Sequence, residues 1–129
     1  MFEIIGSPLR MLLAVSLLMI STVTSSIAAE LVMLEEDGCP WCELWREEVG
    51  GIYSKTEEGK VAPLRVVDIH DPLPDDLKFM VKGGFTPTFV LVDQGKEIGR
   101  IRGYPGESFF WGLLALMIDK LPESGNSSS

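Results

Sequence analysis

The chain has 129 residues, which is the length of one domain, and it carries a formal net charge of −8. This acidic balance argues against nucleic-acid binding and against a basic membrane-binding patch, because both need clustered lysine and arginine side chains. Once the first stretch is set aside, roughly a hundred residues remain, which is enough for one small hydrophobic core.

Residues 1–29 have the pattern of a secretory signal peptide. Arg10 precedes a short apolar run, Met11–Ile20, and small residues then lead to Ala28 and Ala29. A basic flank, an apolar run and a small-residue cleavage site are typical of exported proteins, and we expect cleavage after one of these two alanines. A membrane-spanning helix needs about 20 apolar residues, so the run is short for an anchor. An uncleaved N-terminal membrane anchor is the alternative.

The folded domain is predicted to open with a buried strand that leads directly into the only two cysteines of the chain. This strand covers Glu30–Glu36, its centre is the continuous apolar run Leu31–Leu34, and Asp37-Gly38 ends it. The motif Cys39-Pro40-Trp41-Cys42 follows. Proline suits the first position of a helix, because its missing N–H would have no partner there.

A helix is predicted after this motif, from Trp41 to Val49. The apolar side chains that recur at helical spacing are Trp45, Val49, Ile52 and Tyr53. Gly50-Gly51 is expected to end or bend the helix, which could resume as far as Glu58 before a loop over 60–63.

The rest of the domain is predicted to contain three strands and two helices, followed by a disordered polar tail over 122–129. In chain order these are a strand Leu64–Ile69, a turn over 71–76, a short helix Leu77–Val81, a strand Thr88–Val92, a hairpin turn over 93–96, an edge strand Glu97–Arg102 with a bulge at Gly99 and solvent-facing Arg100 and Arg102, and a helix Glu107–Leu121. The order βαβαββα predicts an α/β domain over 30–121. Its four-stranded mixed sheet would carry helices on both faces.

The spacing of Cys39 and Cys42 favours a reactive pair over a structural staple. A bridge between residues this close constrains the unfolded chain little. At the start of a helix, backbone N–H groups and the helix dipole stabilise the thiolate of Cys39, which is the form that attacks disulfides. Cys42 lies one turn later and could resolve a mixed disulfide by attacking the sulfur of Cys39. This chemistry requires no metal and no organic cofactor beyond the redox-active disulfide.

The pair Thr86-Pro87 stands directly before an apolar strand, where proline is unusual because it cannot donate a ladder hydrogen bond. A cis peptide bond at this proline would turn the chain sharply and expose neighbouring backbone groups. A substrate segment could then pair with those groups as an added strand. A trans proline at the start of the strand is the alternative.

A CxxC motif at a strand-to-helix junction, with a Thr-Pro pair before a later buried strand, resembles the thioredoxin superfamily over nearly all of Leu31–Leu121. The exported start, the Cys-Pro-Trp-Cys centre and the stretch 103–114 are similar to periplasmic thioredoxins of bacterial sulfur-oxidation (Sox) clusters, the SoxS type. The resemblance implies a minimal thioredoxin-like fold, without the extra N-terminal strand and helix of full thioredoxins.

The same resemblance implies a monomeric periplasmic thiol–disulfide oxidoreductase that reduces disulfides or blocked thiols on a partner protein. That partner would be the sulfur-carrier protein of thiosulfate oxidation. Electrons would come from a membrane thiol transporter of the CcdA/DsbD kind. Cys39 would be the nucleophile and Cys42 the resolving thiol, with Pro40 and Trp41 as the active-site dipeptide and Thr86 and Pro87 as the docking loop.

One departure from the family concerns proton transfer. Thioredoxins usually carry a buried carboxylate in the strand before the active site, where this chain has Met33. No proton acceptor for Cys42 can be assigned, and Glu43 fits a solvated helix face better than this role.

Several alternatives stay open at this point. They are a general periplasmic thiol reductase, for example in cytochrome c maturation, a dithiol oxidant, a Cu(I) carrier that binds through both thiolates, and a non-catalytic interaction module. Zinc is not favoured, because two cysteines and His70, a predicted loop residue, do not supply four ligands. Trp41 is expected to be exposed and to contact partners, although a packing role is equally open.

Overall fold

The computed structural model of the chain describes residues 28–122. Residues 1–27 of the predicted signal peptide, and the predicted tail beyond Pro122, lie outside the described residues. Among the residues described, no helix is both long enough and apolar enough to cross a membrane.

The element order within 28–122 follows the predicted pattern closely. In chain order the elements are β1 (Glu30–Glu35), α1 (Pro40–Trp45), a π-helical turn (Arg46–Gly50), α2 (Gly51–Tyr53), α3 (Glu57–Val61), β2 (Leu64–Asp68), a 3₁₀ turn (Asp75–Leu77), β3 (Thr88–Asp93), β4 (Lys96–Arg102) and α4 (Glu107–Ile118). This architecture confirms the predicted α/β class and the four-stranded mixed sheet.

The sheet has the strand order β2-β1-β3-β4, so β1 and β3 are central. β1 runs parallel to β2 and antiparallel to β3, and β4 returns antiparallel to β3. Leu31 pairs with Leu64 on one side and with Leu91 on the other. The two central strands are continuous apolar runs because side chains on both of their faces are buried.

One face of the sheet holds the main core, which receives the buried side chains of α1, α2 and α4. Trp45 lies at its centre, with ring centroids 5.1 Å from Phe89 of β3 and 5.7 Å from Phe110 of α4. Offset or edge-to-face aromatic pairs of this kind add about 0.5–1.5 kcal/mol each beyond the burial of their surface. They hold α1, and with it the two cysteines, against the central strands.

The opposite face is covered differently from the prediction. Val32 and Val90 on this face pack in one cluster with Leu77 and Met80. The predicted helix Leu77–Val81 is wrong, because the chain forms only the 3₁₀ turn Asp75–Leu77, in which the Leu77 N–H donates to the Pro74 carbonyl at 2.9 Å. A proline before the turn and two glycines shortly after it leave room for one turn that anchors these two side chains.

The helical conformation continues without a break from Pro40 to Tyr53, so Gly50-Gly51 does not end it. The π-helical turn shifts the helix phase, because each such turn accommodates one extra residue. As a result Tyr53 is buried, whereas Ile52, predicted on the same side, is exposed. The chain turns after Tyr53, and Thr56 caps the new helix α3 by accepting a hydrogen bond from the Gly59 N–H. The predicted loop at 60–63 therefore begins later than expected.

The β3–β4 hairpin turns at Gln94-Gly95, both of which have positive φ angles (49° and 73°), as tight hairpins require. The ladder changes register between Leu91 and Val92, which confirms the predicted bulge near Gly99. A Cβ atom at Gly99 would lie 2.9 Å from Met117 Sδ. Glycine at the bulge therefore allows α4 to pack directly on β4.

Two details at this end of the domain differ from expectation. α4 ends at Ile118 rather than Leu121, and its buried side chains are Phe110, Leu114 and Met117. Arg100, predicted to face solvent, is only partly exposed and bonds Glu97, whereas Arg102 is exposed as predicted.

Candidate active site

The two cysteines form a disulfide at the N-terminus of α1, with their Cα atoms 5.3 Å apart. Gly38, at φ +76°, makes the turn from β1 into the helix in a conformation that other residues rarely adopt. Cys39 is the N-cap residue, and its Sγ accepts a hydrogen bond of 3.1 Å from the Cys42 backbone N–H. Pro40 occupies the first helical position. The strand-to-helix junction predicted from the sequence is therefore present.

The residues of the motif differ in their access to solvent. Cys39 exposes 6% of its surface, Cys42 exposes none, and Trp41 between them is 59% exposed. The helix turns Cys42 inward, where it joins the main core together with Met33 and Trp45. Cys39 is therefore the more accessible of the two cysteines, and Trp41 presents a large apolar surface to solvent.

The Thr86–Pro87 peptide bond is cis. The loop that contains it is held from two sides: Thr86 Oγ1 donates to Glu36 Oε1 at 2.9 Å, and the Gly103 N–H donates to the Pro87 carbonyl at 2.7 Å. Within residues 28–122, the amide and carbonyl of Thr86 enter no backbone hydrogen bond. These groups therefore remain available to a strand added from outside the chain.

A shallow pocket of about 230 Å³ joins the motif to this loop. The residues that line it are Trp41, Phe85, Thr86, Arg102, Gly103, Tyr104 and Pro105. The sequence analysis had placed two of these residues, Trp41 and Thr86, at the site. It had not included the segment 102–105, which contributes more than half of the lining.

Tyr104 connects the pocket to the helix that carries the cysteines. Its Oη donates to Glu48 Oε2 at 2.6 Å, across the gap between the 103–106 turn and the π-helical turn. Burial, and then the hydrogen bond to the Glu48 carboxylate, raise the pKa of Tyr104 well above its usual range. The phenol thus stays neutral and remains a donor at any physiological pH.

Comparison with solved structures identifies the family. The crystal structure of the periplasmic thioredoxin SoxS from Paracoccus pantotrophus, in its reduced form, is 43% identical to the chain, with a TM-score of 0.68. The match covers 71% of this chain and 97% of that one. The chain belongs to the thioredoxin family. With the Cys39–Cys42 disulfide, this membership makes it a thiol–disulfide oxidoreductase.

Two further thioredoxins share the fold at lower identity. The thioredoxin of Malassezia sympodialis (Mala s 13) is 19% identical, with a TM-score of 0.53 over 74% of this chain and 80% of its own. The thioredoxin of Fasciola hepatica is 22% identical, with a TM-score of 0.53 over 70% and 81%. A scan against models of protein families and a search of curated proteins gave no match.

This thioredoxin lacks a carboxylate at the buried strand position before the motif, because Met33 is fully buried there. Two glutamates nearby are engaged with Arg46 instead: Glu35 forms an ion pair with its guanidinium, and Glu43 accepts a hydrogen bond of 2.8 Å. The sequence-based expectation that Glu43 is a solvated helix-face residue agrees with its exposure.

The single histidine of this thioredoxin lies in a loop, as predicted. His70 Nε2 is 3.0 Å from Glu36 Oε2. Within the part of the chain that the structure describes, no group of three or more His, Cys, Asp and Glu side chains is placed to hold a metal ion.

Proposed function

We propose that this thioredoxin is a periplasmic reductase in which Cys39 is the nucleophile and Cys42 the resolving thiol. The observation that carries the proposal is the placement of Cys39 at the N-cap of α1, more accessible than Cys42 and beside the cis-proline pocket. The N–H that points at its Sγ stabilises the thiolate once the disulfide is reduced.

The proposed reaction is two consecutive thiol–disulfide exchanges. The Cys39 thiolate attacks one sulfur of the partner disulfide, a mixed disulfide forms, and the other partner sulfur leaves as a thiolate that takes up a proton. The Cys42 thiol then loses its proton and attacks Cys39 Sγ, which releases the second partner sulfur. The partner gains two electrons and two protons, and the enzyme ends with the Cys39–Cys42 disulfide.

Thr86 and Pro87 would dock the partner segment. The free backbone groups of Thr86 and the exposed pocket beside Trp41 support this role, because an extended segment could pair with the loop and place a side chain in the pocket. The hydrogen bonds from Thr86 to Glu36 and from Gly103 to Pro87 would keep the docking loop in place. We expect the protein to work as a monomer.

The compartment and the partner rest on similarity and on the N-terminal pattern. The signal-like segment 1–29, with cleavage near Ala28 or Ala29, supports export, and the 43% identical relative is a periplasmic thioredoxin. We propose that the substrate is a periplasmic protein, the sulfur-carrier protein of a Sox thiosulfate-oxidation system. A membrane thiol transporter of the CcdA/DsbD kind would return electrons to the disulfide.

Redox-dependent stability separates a reductase from a dithiol oxidant. A reductant has an oxidised form that is more stable than its reduced form, whereas in an oxidant this order is reversed. We expect thermal unfolding to occur at a lower temperature in the presence of dithiothreitol. A higher unfolding temperature for the reduced form would instead favour the oxidant.

A trapping experiment tests the proposed partner. Cys42→Ser leaves mixed disulfides at Cys39 unresolved, so the full chain, expressed with its N-terminal segment in the native host, should retain its partner covalently. One dominant thiol-reversible adduct from the sulfur-oxidation machinery is the expected result, and Cys39→Ser is the matched control that should capture nothing. A spread of periplasmic proteins, or a cytochrome-maturation component, would contradict the dedicated partner and favour a general reductase. If no adduct forms and reduced protein binds Cu(I) stoichiometrically, copper carriage replaces the exchange mechanism.

A further inference from the structure

Among the described residues that line the pocket beside the cysteines, only Arg102 has a charged side chain. It is the last residue of β4, it is exposed, and its register partner across the hairpin is Thr88, directly after the docking loop. The adjoining hydrogen bond from the Gly103 N–H to the Pro87 carbonyl keeps the two segments together. A charge at this position lies where a partner segment would pass.

Arg102 differs from the other arginines of residues 28–122 in its lack of a carboxylate partner. Each of the others forms an ion pair: Arg46 with Glu35 and Glu43, Arg65 with Glu30 and Asp76, and Arg100 with Glu97. The chain has 19 acidic residues and 11 basic ones, so carboxylates are abundant, and yet none in the described part is within bonding distance of Arg102. As far as residues 28–122 are concerned, its guanidinium therefore has no ionic partner and can bind a group from outside the chain.

The walls of the pocket strengthen this expectation. Trp41, Phe85 and Pro105 line the same pocket as Arg102 with apolar surface, and a bound segment would exclude water from the pocket. A guanidinium can donate two parallel hydrogen bonds to one carboxylate, and such pairs are shorter and stronger than neutral hydrogen bonds. The nearby carboxylate of Glu48 already accepts a hydrogen bond from Tyr104, and that of Glu36 accepts one from Thr86.

We propose that Arg102 selects partner segments that carry an aspartate or glutamate side chain within one or two residues of the reacting cysteine. The inference rests on the proposed function, because it names the chemistry of the segment that docks beside Cys39. The apolar walls of the pocket contact the adjoining apolar or small residues of that segment, and Arg102 binds its carboxylate.

Single-turnover reduction of matched peptides tests the proposal. Each peptide carries one cysteine in a disulfide with a neutral fluorescent thiol, and the peptides differ only in whether the flanking residue is Glu, Gln or Lys. The protein is reduced with dithiothreitol, separated from the excess reductant and mixed with the peptide. The reduced protein then supplies the two electrons that release the peptide thiol and the fluorescent thiol. We expect wild type to reduce the Glu peptide about 2–5-fold faster than the Gln peptide at low salt, with a smaller ratio at high salt.

Comparison between variants cancels any effect of the flanking charge on the peptide disulfide itself. Arg102→Gln should lower the Glu/Gln rate ratio to the ratio seen with a small-molecule dithiol, and Arg102→Glu should favour the Lys peptide. Arg102→Lys, which keeps the charge but loses the paired donors, should retain part of the preference. Lys96→Gln is the matched control: it removes one positive charge from the other end of β4, about 20 Å away, and should keep the wild-type ratio.

The outcomes separate the inference from the function on which it rests. A wild-type protein that reduces every peptide, with a Glu/Gln ratio equal to that of Arg102→Gln, overturns the role of Arg102 and leaves the reductase intact. A Lys96→Gln variant that loses the preference as fully as Arg102→Gln also overturns it, because net charge would then explain the effect. If wild type reduces none of the peptides while dithiothreitol reduces them all, the proposed function fails and the inference fails with it.

Discussion

Thr86 Oγ1 donates a hydrogen bond to Glu36 Oε1 at 2.9 Å, which joins the docking loop to the residue that follows β1. The two residues are 50 positions apart in the chain. Glu36 also lies 3.0 Å from His70 Nε2 through its second oxygen, so one carboxylate connects three loops at the edge of the site. Glu36 is thus a positioning residue for the loop that precedes Pro87.

Substitution of Glu36 should affect docking rather than bond exchange. Glu36→Ala removes the acceptor of the Thr86 hydroxyl, and the loss of one such hydrogen bond, worth about 1 kcal/mol, should lower kcat/KM for a protein disulfide by about 5-fold. Glu36→Gln keeps an acceptor oxygen and should restore most of the activity. The measurement is steady-state reduction of a protein disulfide by both variants. Equal losses in both would show that the charge of Glu36, and not its hydrogen bond to Thr86, is what matters.

The free energy of unfolding should fall at alkaline pH because the two tyrosines of the chain ionise there. Burial, with a smaller contribution from Glu58, raises the pKa of Tyr53 above its usual range, and burial together with Glu48 does the same for Tyr104. In the unfolded chain both phenols ionise near pH ~10. Because the folded state resists ionisation, the stabilisation is complete below that pH and is lost as the pH rises towards the folded pKa values.

Ultraviolet titration of tyrosinate checks this expectation. Native protein should show no tyrosinate absorbance step at the pH where denatured protein shows a step for two tyrosines, and its free energy of unfolding should begin to fall there. Tyr104→Phe removes one ionisable phenol and its hydrogen bond to Glu48. The variant should therefore lose less stability at alkaline pH than wild type, and the loss that remains should come from Tyr53. If either tyrosine of the native protein ionised at the same pH as in the denatured protein, the burial of that side chain would be contradicted.

Two glycines in neighbouring helical segments should respond in opposite ways to alanine. A Cβ atom at Gly59 would lie 1.9 Å from the backbone oxygen of Tyr53, whereas one at Gly51 would meet nothing within 4 Å. Gly59→Ala therefore forces a backbone shift and should lower the free energy of unfolding by about 2–3 kcal/mol. Gly51→Ala restricts the unfolded chain in a helical site and should raise it by about 0.5–1 kcal/mol. Urea unfolding of both oxidised variants makes the comparison, and a stable Gly59→Ala protein would contradict the packing of α3.

The sequence predicted those parts of the site that depend on local chemistry. Gly38 and Pro40 have conformational preferences that require a turn and then a helix, so the position of Cys39 followed from its neighbours. Continuous apolar runs similarly predicted the buried strand β1 and the apolar strand β3, and both are central in the sheet. The helix expected at Leu77–Val81 was wrong because tertiary contacts of two side chains, rather than helix propensity, determine the conformation there.

The segment 102–105 could not be placed at the site without the register of the hairpin. A two-residue turn at Gln94-Gly95 fixes the pairing near the turn, but the bulge then displaces β4 by one residue. Only with that displacement does Gly103 come opposite Pro87 and bring Arg102 to the pocket. Counting one unpaired residue, Ile98, next to Gly99 was the signal that could have found it. The bond from Thr86 to Glu36 depends on loop conformations that no local pattern specifies.

The order of attack is tested most directly by mixed-disulfide formation in vitro. Reduced Cys42→Ser and Cys39→Ser proteins are each mixed with the same neutral peptide disulfide, and the adducts are mapped by mass spectrometry. The account predicts a rapid, stable adduct at Cys39 in the first variant and little reaction at Cys42 in the second, because Cys42 is fully buried and lacks the N-cap position. Equal or faster adduct formation at Cys42 would contradict the assignment of Cys39 as the nucleophile.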